Sequence, residues 1–352
     1  MDFGAGMLNL LTSALPAYLA VPLSSVSELA ATIELLFTEA FEPAFPHSTI
    51  GQGDPVKETA AWPIELGTAG VLASGRWLWL RAILWAMLLF AGAFAFFLST
   101  QYIGHWFHLP PNSSYVIVLG IPILAFVVYA FVIRAAEKRT PVEVLPGAGT
   151  ITDILIGAII GVVMLCLITA MLWALGLYEV KPNHLSHVFD SFVFDSYLSG
   201  MMEELLFRAI LLRILARAFG PRWGLVLSAT MFGLAHLSHG SWLPLLEVAI
   251  NAGLPLGLLY MATGRLWMAI SMHTAWDFAE ESLLGVNTHH GLLLSTPAHG
   301  KSALLTGGTY GPDGSVLAMV IGILACAGIL WAWKRGHFQN VQSTTHRKNM
   351  TE

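Results

Sequence analysis

The sequence has few charged residues for its length. Only 11% of its 352 residues are Asp, Glu, Lys or Arg, and 56% are hydrophobic. Soluble domains carry about 25% charged residues, so this composition excludes an ordinary soluble enzyme. The formal net charge is -5 and no basic stripe is present, which excludes nucleic acid as a partner.

Cysteine and several hydrolase motifs are also scarce or absent. The two cysteines, Cys166 and Cys326, lie in separate apolar segments, which argues against a disulfide framework and a CxxC metal site. The chain contains no HExxH and no GxSxG sequence. Neither a zinc-protease helix nor a serine nucleophile elbow is therefore indicated.

The chain contains instead a series of apolar runs, several of them near the ~20 residues that cross a bilayer. We predict an all-α fold, a polytopic transmembrane helical bundle of about eight spans. The predicted spans are 82 to 98, 115 to 133, 151 to 177, 191 to 218, 223 to 238, 243 to 263, 266 to 286 and 316 to 333.

Lysine and arginine cluster in every second interval between these spans. They precede the first span and accompany the ends of the second, fourth, sixth and eighth, while the intervening loops hold only Lys181 and Lys301. Because cytoplasmic loops retain positive charge, this alternation predicts that both termini are cytoplasmic. We expect a multi-pass integral protein of the cell (inner) membrane, with the lipid bilayer as its surroundings.

The composition changes at both ends of the predicted bundle. Residues 1–75 mix apolar stretches with acidic residues and lack a sustained span; their role is unknown, and interfacial helices are one interpretation. Residues 76–335 form the predicted transmembrane bundle. Residues 336–352 are predicted to be a solvated cytoplasmic tail.

Three ionisable residues lie in the apolar fourth span, in the stretch GMMEELLFRAI. Each ionised side chain at a helix centre costs about 2.5–3.5 kcal/mol unless it is paired or hydrated. Glu204 and Arg208 are four residues apart and share a helix face, so the spacing predicts a salt bridge. Glu203 points about 100° away from Glu204. Without that partner, its carboxylate is a candidate general base.

Further proton-transfer groups lie on the next spans. His236 follows Phe232 by four residues, and His273 and Asp277 share a face of the seventh span. If these faces converge on Glu203, they form a small polar cavity in the bundle. Taken singly, each feature also has a structural interpretation, an ion pair for Glu204 or a helix-to-helix hydrogen bond for His236.

Other polar residues at membrane depth favour simpler interpretations. Glu247 and Asn251 share a face of the sixth span, which favours a packing or lining role. Glu280 and Glu281 are expected near the outer water interface. We therefore leave these residues out of the predicted catalytic set.

The depths of the three motifs do not obviously match. At 1.5 Å per residue, Glu203 and His236 lie about 20 Å from the cytoplasmic ends of their helices, and His273 only about 10 Å. The spans must therefore be tilted or staggered if the three side chains meet.

Three motifs in order resemble those of a known family. Glu203-Glu204-x-x-x-Arg208, Phe232-x-x-x-His236 and His273-x-x-x-Asp277 are similar to the EExxxR, FxxxH and HxxxN/D motifs of the CPBP family. This family comprises CAAX-protease and bacteriocin-processing membrane proteins and is also called Abi. The resemblance covers roughly residues 190–290.

The resemblance implies an intramembrane endopeptidase acting on a peptide or membrane-anchored protein, prenylated or not. Glu203 and His236 would then activate a water, and His273 and Asp277 would assist the oxyanion. Glu204 and Arg208 would hold the helix and tune Glu203.

The resemblance leaves the use of a metal open. Asp277 stands where many members have asparagine, and an ionised carboxylate cannot donate a hydrogen bond to an oxyanion. Asp277 would therefore be protonated, orient His273, or bind a cation. In the last case His236, His273 and Asp277 would hold zinc or another divalent cation, as in catalytic zinc sites with three protein ligands.

Two other classes of function fit the same residues. A carrier would use them as a proton or ion pathway, but such a pathway predicts polar residues along a route rather than on three helices. A non-catalytic scaffold or immunity protein would retain the fold and sequester a partner. Replacement of Glu203 by glutamine distinguishes this last alternative from catalysis.

Overall fold

The computed structural model describes residues 62–106, 113–237, 243–286, 288 and 290–338. These residues are mostly helical. Most of the predicted N-terminal segment and of the C-terminal tail lies outside the described residues, as does the proposed interfacial helix pair. The division into three parts stays a prediction.

The described residues form a series of helices along the chain. The longer ones are α1 (Leu78–Trp106), α2 (Ser113–Ala136), α3 (Thr150–Ala174), α4 (188–219), α5 (Pro221–Ala235), α6 (243–263), α7 (267–283) and α9 (Val316–Lys334); α8 (Ala303–Thr306) is a single turn. Each of the eight predicted spans overlaps one of the longer helices.

Three of these helices contain π-helical turns. They lie at Ser191–Tyr197 and Leu205–Leu212 in α4, at Ala249–Gly253 in α6 and at Ala279–Leu283 in α7. Such turns occur frequently at functional sites. One begins directly after Glu204, and another begins two residues after Asp277.

Five helices among the described residues are long and apolar enough to cross a membrane. They comprise Leu78–Thr100, Ser113–Ala136, Thr150–Ala174, Leu245–Thr263 and Val316–Lys334. The other three predicted spans, α4, α5 and α7, are not in this group. The 15 residues of α5 extend only about 22 Å at 1.5 Å per residue, short of the ~30 Å hydrocarbon core.

A two-stranded antiparallel sheet joins the connection after α3 to the chain after α7. Strand β1 (Tyr178–Pro182) pairs with β2 (Leu293–Pro297), with Tyr178 opposite Pro297. The Tyr178 hydroxyl donates to the carbonyl oxygen of Thr306 at 2.9 Å. This ties the sheet to the short helix α8.

Helices α3 and α7 pack closely because α3 has glycines at the crossing. A Cβ on Gly157 would lie 2.3 Å from the carbonyl oxygen of Met268, and one on Gly161 would lie 2.2 Å from that of Met272. Small residues spaced by four allow helix backbones to approach in membranes. This contact fixes the position of α7, which carries His273.

The described residues at the chain's start, 62–75, pack against one end of the bundle. Trp62 is buried and stacks on Trp333 at a centroid distance of 4.1 Å. Arg213 of α4 donates to the carbonyl oxygen of Leu66 at 3.2 Å, and Arg217 donates to that of Gly67 at 2.9 Å. These contacts close the end of the bundle that carries most of its arginines.

A buried ion network lies beside this segment. Arg213 makes two hydrogen bonds to Glu137, at 2.7 and 2.8 Å, and Arg139 bonds both Glu137 and Glu143. The Tyr129 hydroxyl also donates to Glu143 at 2.6 Å. The network connects the loop after α2 to the distal half of α4.

Candidate active site

The three motifs meet inside the bundle. The Oε2 atom of Glu203 lies 3.7 Å from Nε2 of His236 and 3.9 Å from Nε2 of His273. Glu203 is 2% exposed, and its Oε2 accepts no hydrogen bond from the described residues. This carboxylate oxygen therefore faces two imidazoles and accepts no direct hydrogen bond from the described residues.

The connections between the helices explain how Glu203, His236 and His273 reach the same depth in the bundle. Helix α5 starts at Pro221, directly after α4 ends at Phe219. Glu203 and His236 are about equally far from this turn, roughly 23 Å at 1.5 Å per residue. They therefore reach the same level on adjacent antiparallel helices.

The third motif reaches this level because α7 starts inside the bundle. Leu266, just before α7, is 0% exposed, and its amide donates to the carbonyl oxygen of Glu143 at 2.9 Å. A Cβ on Gly264 would lie 2.6 Å from the carbonyl oxygen of Pro63. The turn between α6 and α7 is thus covered by other segments, which explains the apparent difference in depth.

Hydrogen bonds to Nδ1 fix the orientation of both imidazoles. Nδ1 of His236 lies 2.8 Å from the carbonyl oxygen of Phe232, and Nδ1 of His273 lies 2.9 Å from Oε1 of Glu204. A carbonyl oxygen and a carboxylate accept only, so each Nδ1 is the donor. Both Nε2 atoms therefore face Glu203.

Glu204 has two partners. Its Oε1 accepts from Nη1 of Arg208 at 2.9 Å as well as from His273. The predicted i, i+4 salt bridge is therefore present. Glu204 is the residue that orients His273 through Nδ1. From the sequence, this was one of the roles predicted for Asp277.

Asp277 lies at the other side of His273. Its Oδ2 accepts from the Ser199 hydroxyl at 2.5 Å and lies 3.6 Å from Nε2 of His273. Sequence reasoning missed Ser199. The sequence feature that could have identified Ser199 is its position four residues before Glu203, on the same face of α4.

Phe232 packs between the charged groups. The Arg208 guanidinium lies 4.3 Å from the Phe232 ring centroid, and the ring contacts both His236 and His273 at centroid distances of 4.6 and 5.8 Å. A cation over an aromatic face is favourable at this range. The aromatic residue of the second motif thus contacts Arg208 and both imidazoles.

The predicted metal ligands do not form a metal centre as they stand. Among the described residues, no group of three or more His, Cys, Asp or Glu has an arrangement that could hold a metal ion. Within the predicted set, Nε2 of His273 and Oδ2 of Asp277 lie 3.6 Å apart, which exceeds the ~3.3 Å edge of a tetrahedral zinc site. The set His236, His273 and Asp277 stays a prediction, and no step below depends on a metal.

A cavity of about 50 Å³ adjoins the site. Its lining includes His236, His273, Asp277 and Glu280. Glu280 is 8% exposed. Glu280 is therefore enclosed by the protein, and the expectation that Glu280 and Glu281 lie near the outer water interface stays a prediction.

Five apolar helices and a buried site of carboxylates and imidazoles define an integral membrane protein with polar chemistry inside its bundle. Residues 185–279 match the family described as Rce1-like, type II CAAX prenyl endopeptidase. This match confirms the CAAX protease family relationship predicted from the three motifs, and this segment carries the family's domain.

The family indicates an intramembrane CAAX-type protease, which is a hydrolase with a peptide or protein substrate in the membrane. No curated protein and no solved structure matches the chain.

Proposed function

We propose that this protein is an intramembrane endopeptidase in which Glu203 and His236 activate a water that attacks the scissile peptide carbonyl. One observation carries the proposal. The buried Glu203 Oε2 has no hydrogen-bond partner among the residues that the structure describes, and it faces two imidazole Nε2 atoms at 3.7 and 3.9 Å. Both distances exceed a direct hydrogen bond, and a water beside the line joining two such atoms can contact both.

In the proposed mechanism Glu203 takes a proton from this water, with His236 accepting a second hydrogen bond from it. The resulting hydroxide adds to the carbonyl carbon. His273, held by Glu204, donates through Nε2 to the oxyanion, and Asp277 stabilises the charged imidazole at 3.6 Å. The oxyanion then re-forms the carbonyl and the C–N bond breaks, while Glu203 returns its proton to the leaving amine, as general acid–base residues do.

Glu204 and Arg208 are positioning residues in this proposal. They form a buried pair, and Glu204 also orients His273. Arg208 is 1% exposed and has Glu204 as its ion-pair partner. Neither side chain needs to touch the substrate.

The topology belongs to the same proposal. All eight predicted helices cross the bilayer, with both termini cytoplasmic and the arginine-rich end of the bundle on the cytoplasmic face, in the cell (inner) membrane. Helices α4, α5 and α7 cross although they are polar or short, because the apolar helices shield them from lipid. The substrate is a peptide or membrane-anchored protein, either prenylated or not.

The test is cleavage by the full chain in detergent of a peptide library with prenylated and unprenylated members. Glu203→Gln preserves the shape of the side chain and removes the base, so we expect cleavage to fall about 10²- to 10⁴-fold. Glu179→Gln is the matched control, because Glu179 is exposed on β1 and pairs only with Lys181 among the described residues. Equal cleavage by wild type and Glu203→Gln would contradict the role of Glu203, and absence of cleavage by both proteins would favour a scaffold.

A further inference from the structure

The cavity beside the catalytic groups has a second acidic wall. It continues from His273 and Asp277 to Glu280 of α7 and to Asp313, in the loop before α9. Its volume of about 50 Å³ is room for about three to five waters. Among the described residues that line the cavity, none is a lysine or an arginine.

Asp313 is buried without a partner for one of its oxygens. It is 7% exposed, and its Oδ1 has no hydrogen-bond partner among the described residues. Oδ1 of Asp313 and Oε1 of Glu280 each lie 3.1 Å from the point that a Cβ on Gly311 would occupy. The two carboxyl groups therefore face the same small space, which glycine at this position leaves open.

A third carboxyl group lies behind this wall. Glu247 is 1% exposed, and neither of its oxygens has a partner among the described residues. It lies four residues before Asn251, whose side-chain amide donates to the backbone carbonyl of Asp313. The acidic residues of α6 and α7 thus meet at the same loop.

Buried carboxylates are costly unless a proton or a cation neutralises them. Among the described residues, the lining contains two histidines but no lysine or arginine, and no group of residues that could hold a metal ion is present. A substrate that enters the cavity can bring the cation itself. An ammonium or guanidinium group needs only carboxylates facing one space, not a compact ligand shell.

We propose that Asp313 and Glu280 form a subsite that binds a lysine or arginine side chain of the substrate. This inference rests on the proposed endopeptidase function and names its substrate class, a peptide with a basic residue near the scissile bond.

The spacing along α7 limits how far that residue lies from the cleaved bond. Glu280 follows His273 by seven residues, about 10 Å along the helix. An extended peptide covers about 3.3 to 3.6 Å per residue. The basic residue therefore lies within about three positions of the scissile bond.

The experiment uses a peptide that the wild-type chain cleaves. Lysine, arginine or norleucine replaces each of three residues on either side of the scissile bond, and kcat/KM is measured in detergent. At one position we expect the lysine or arginine peptide to be cleaved about tenfold better than the norleucine peptide. Norleucine retains most of the aliphatic chain of lysine, so this ratio isolates the charge.

Two variants test the wall independently. In Asp313→Asn and in Glu280→Gln the ratio should fall towards one, and in Glu179→Gln, which changes an exposed carboxylate, it should stay at the wild-type value. A wild-type ratio near one at every position would overturn the subsite. So would a wild-type ratio that persists in both wall variants.

A binding measurement separates the subsite from the proposed hydrolysis. Two probes, Nα-acetyl-lysine methylamide with a free ε-ammonium group and Nα-acetyl-norleucine methylamide, are added to the Glu203→Gln protein. The thermal unfolding midpoint is then measured. Only the lysine probe should raise it, and Asp313→Asn in the same background should abolish the rise. Equal shifts from both probes would contradict the subsite even if no peptide is cleaved, whereas absence of all cleavage would contradict only the endopeptidase.

Discussion

Glu204 accepts a hydrogen bond from Nδ1 of His273 at 2.9 Å, across the contact between α4 and α7. The neighbouring Glu203 faces the opposite ring nitrogen at 3.9 Å. The two adjacent glutamates thus act on the two sides of one imidazole. This division explains why two consecutive carboxylates are useful within an apolar helix.

Replacement of Glu204 by glutamine should lower kcat about 10²-fold with little change in KM, because a misplaced catalytic group costs roughly that much. Stability should also fall, by about 3–5 kcal/mol, since Arg208 would remain buried without its counter-ion. Detergent kinetics and thermal unfolding measure the two effects.

The double variant Glu204→Gln/Arg208→Met separates positioning from stability. Removing both charges should recover much of the lost stability, while kcat stays low because His273 has lost its carboxylate. Recovery of kcat together with stability would assign Glu204 a structural role alone.

Gly161→Ala should destabilise the protein and reduce cleavage. The new methyl would lie 2.2 Å from the carbonyl oxygen of Met272, so α3 and α7 must separate and His273 must move. Overpacking typically costs about 1–3 kcal/mol. Gly92→Ala in α1 is the matched control, because a Cβ there meets nothing within 4 Å. Equal unfolding midpoints for the two variants would show that the close helix contact is unimportant.

The network at Glu137 should make the protein sensitive to acid. Burial acts to raise the pKa of Glu137, but the charge of Arg213 and its hydrogen bonds outweigh burial, so the pKa lies below its ordinary value of 4.5. Such a carboxyl contributes stability that is present above the unfolded-state pKa. We expect this contribution to be lost as the pH falls below about 4.5 and through the folded-state pKa.

Unfolding in detergent as a function of pH tests this expectation. Glu137→Gln should be less stable than wild type at pH 7, by about 3–5 kcal/mol, and should lose less stability on acidification. Glu179→Gln, at an exposed site, should follow the wild-type curve. Parallel curves for wild type and Glu137→Gln would show that the network does not determine acid stability.

Treatment with a chelator tests the predicted metal set. Because the proposed steps use only side chains of the chain itself, we expect cleavage after chelation to remain within about twofold of the untreated protein. A loss of cleavage that zinc restores would instead assign His236, His273 and Asp277 as ligands. Unfolding midpoints before and after chelation distinguish that outcome from general destabilisation.

Local spacing predicted much of the site. The ion pair of Glu204 and Arg208 follows from their separation of four residues on a helix, and the structure has it at 2.9 Å. The same geometry identified Glu203 as the carboxylate outside this pair. Helical periodicity needs only the neighbouring turns, so sequence alone suffices for such relations.

Contacts between distant segments could not be predicted in this way. Ser199 bonds Asp277 across 78 residues of sequence. Asp313 reaches the cavity from the 3-10 turn Pro312–Gly314, which is too short to show a repeating pattern in the sequence. The covered turn at Leu266 likewise depends on the loop after α2. Ser199 shares a helix face with Glu203, which is a local signal, but neither Asp313 nor the covered turn at Leu266 leaves a signal in its own local sequence.

The sequence by itself determined that this is a helical membrane protein and which carboxylate in α4 is left outside the ion pair, because composition and a 3.6-residue period are local properties. Only the tertiary structure decided that the three motifs meet, that Glu204 orients His273, and that a second acidic wall faces the same cavity. Those facts depend on glycine contacts between helices and on a turn buried inside the bundle, which bring together side chains far apart along the chain.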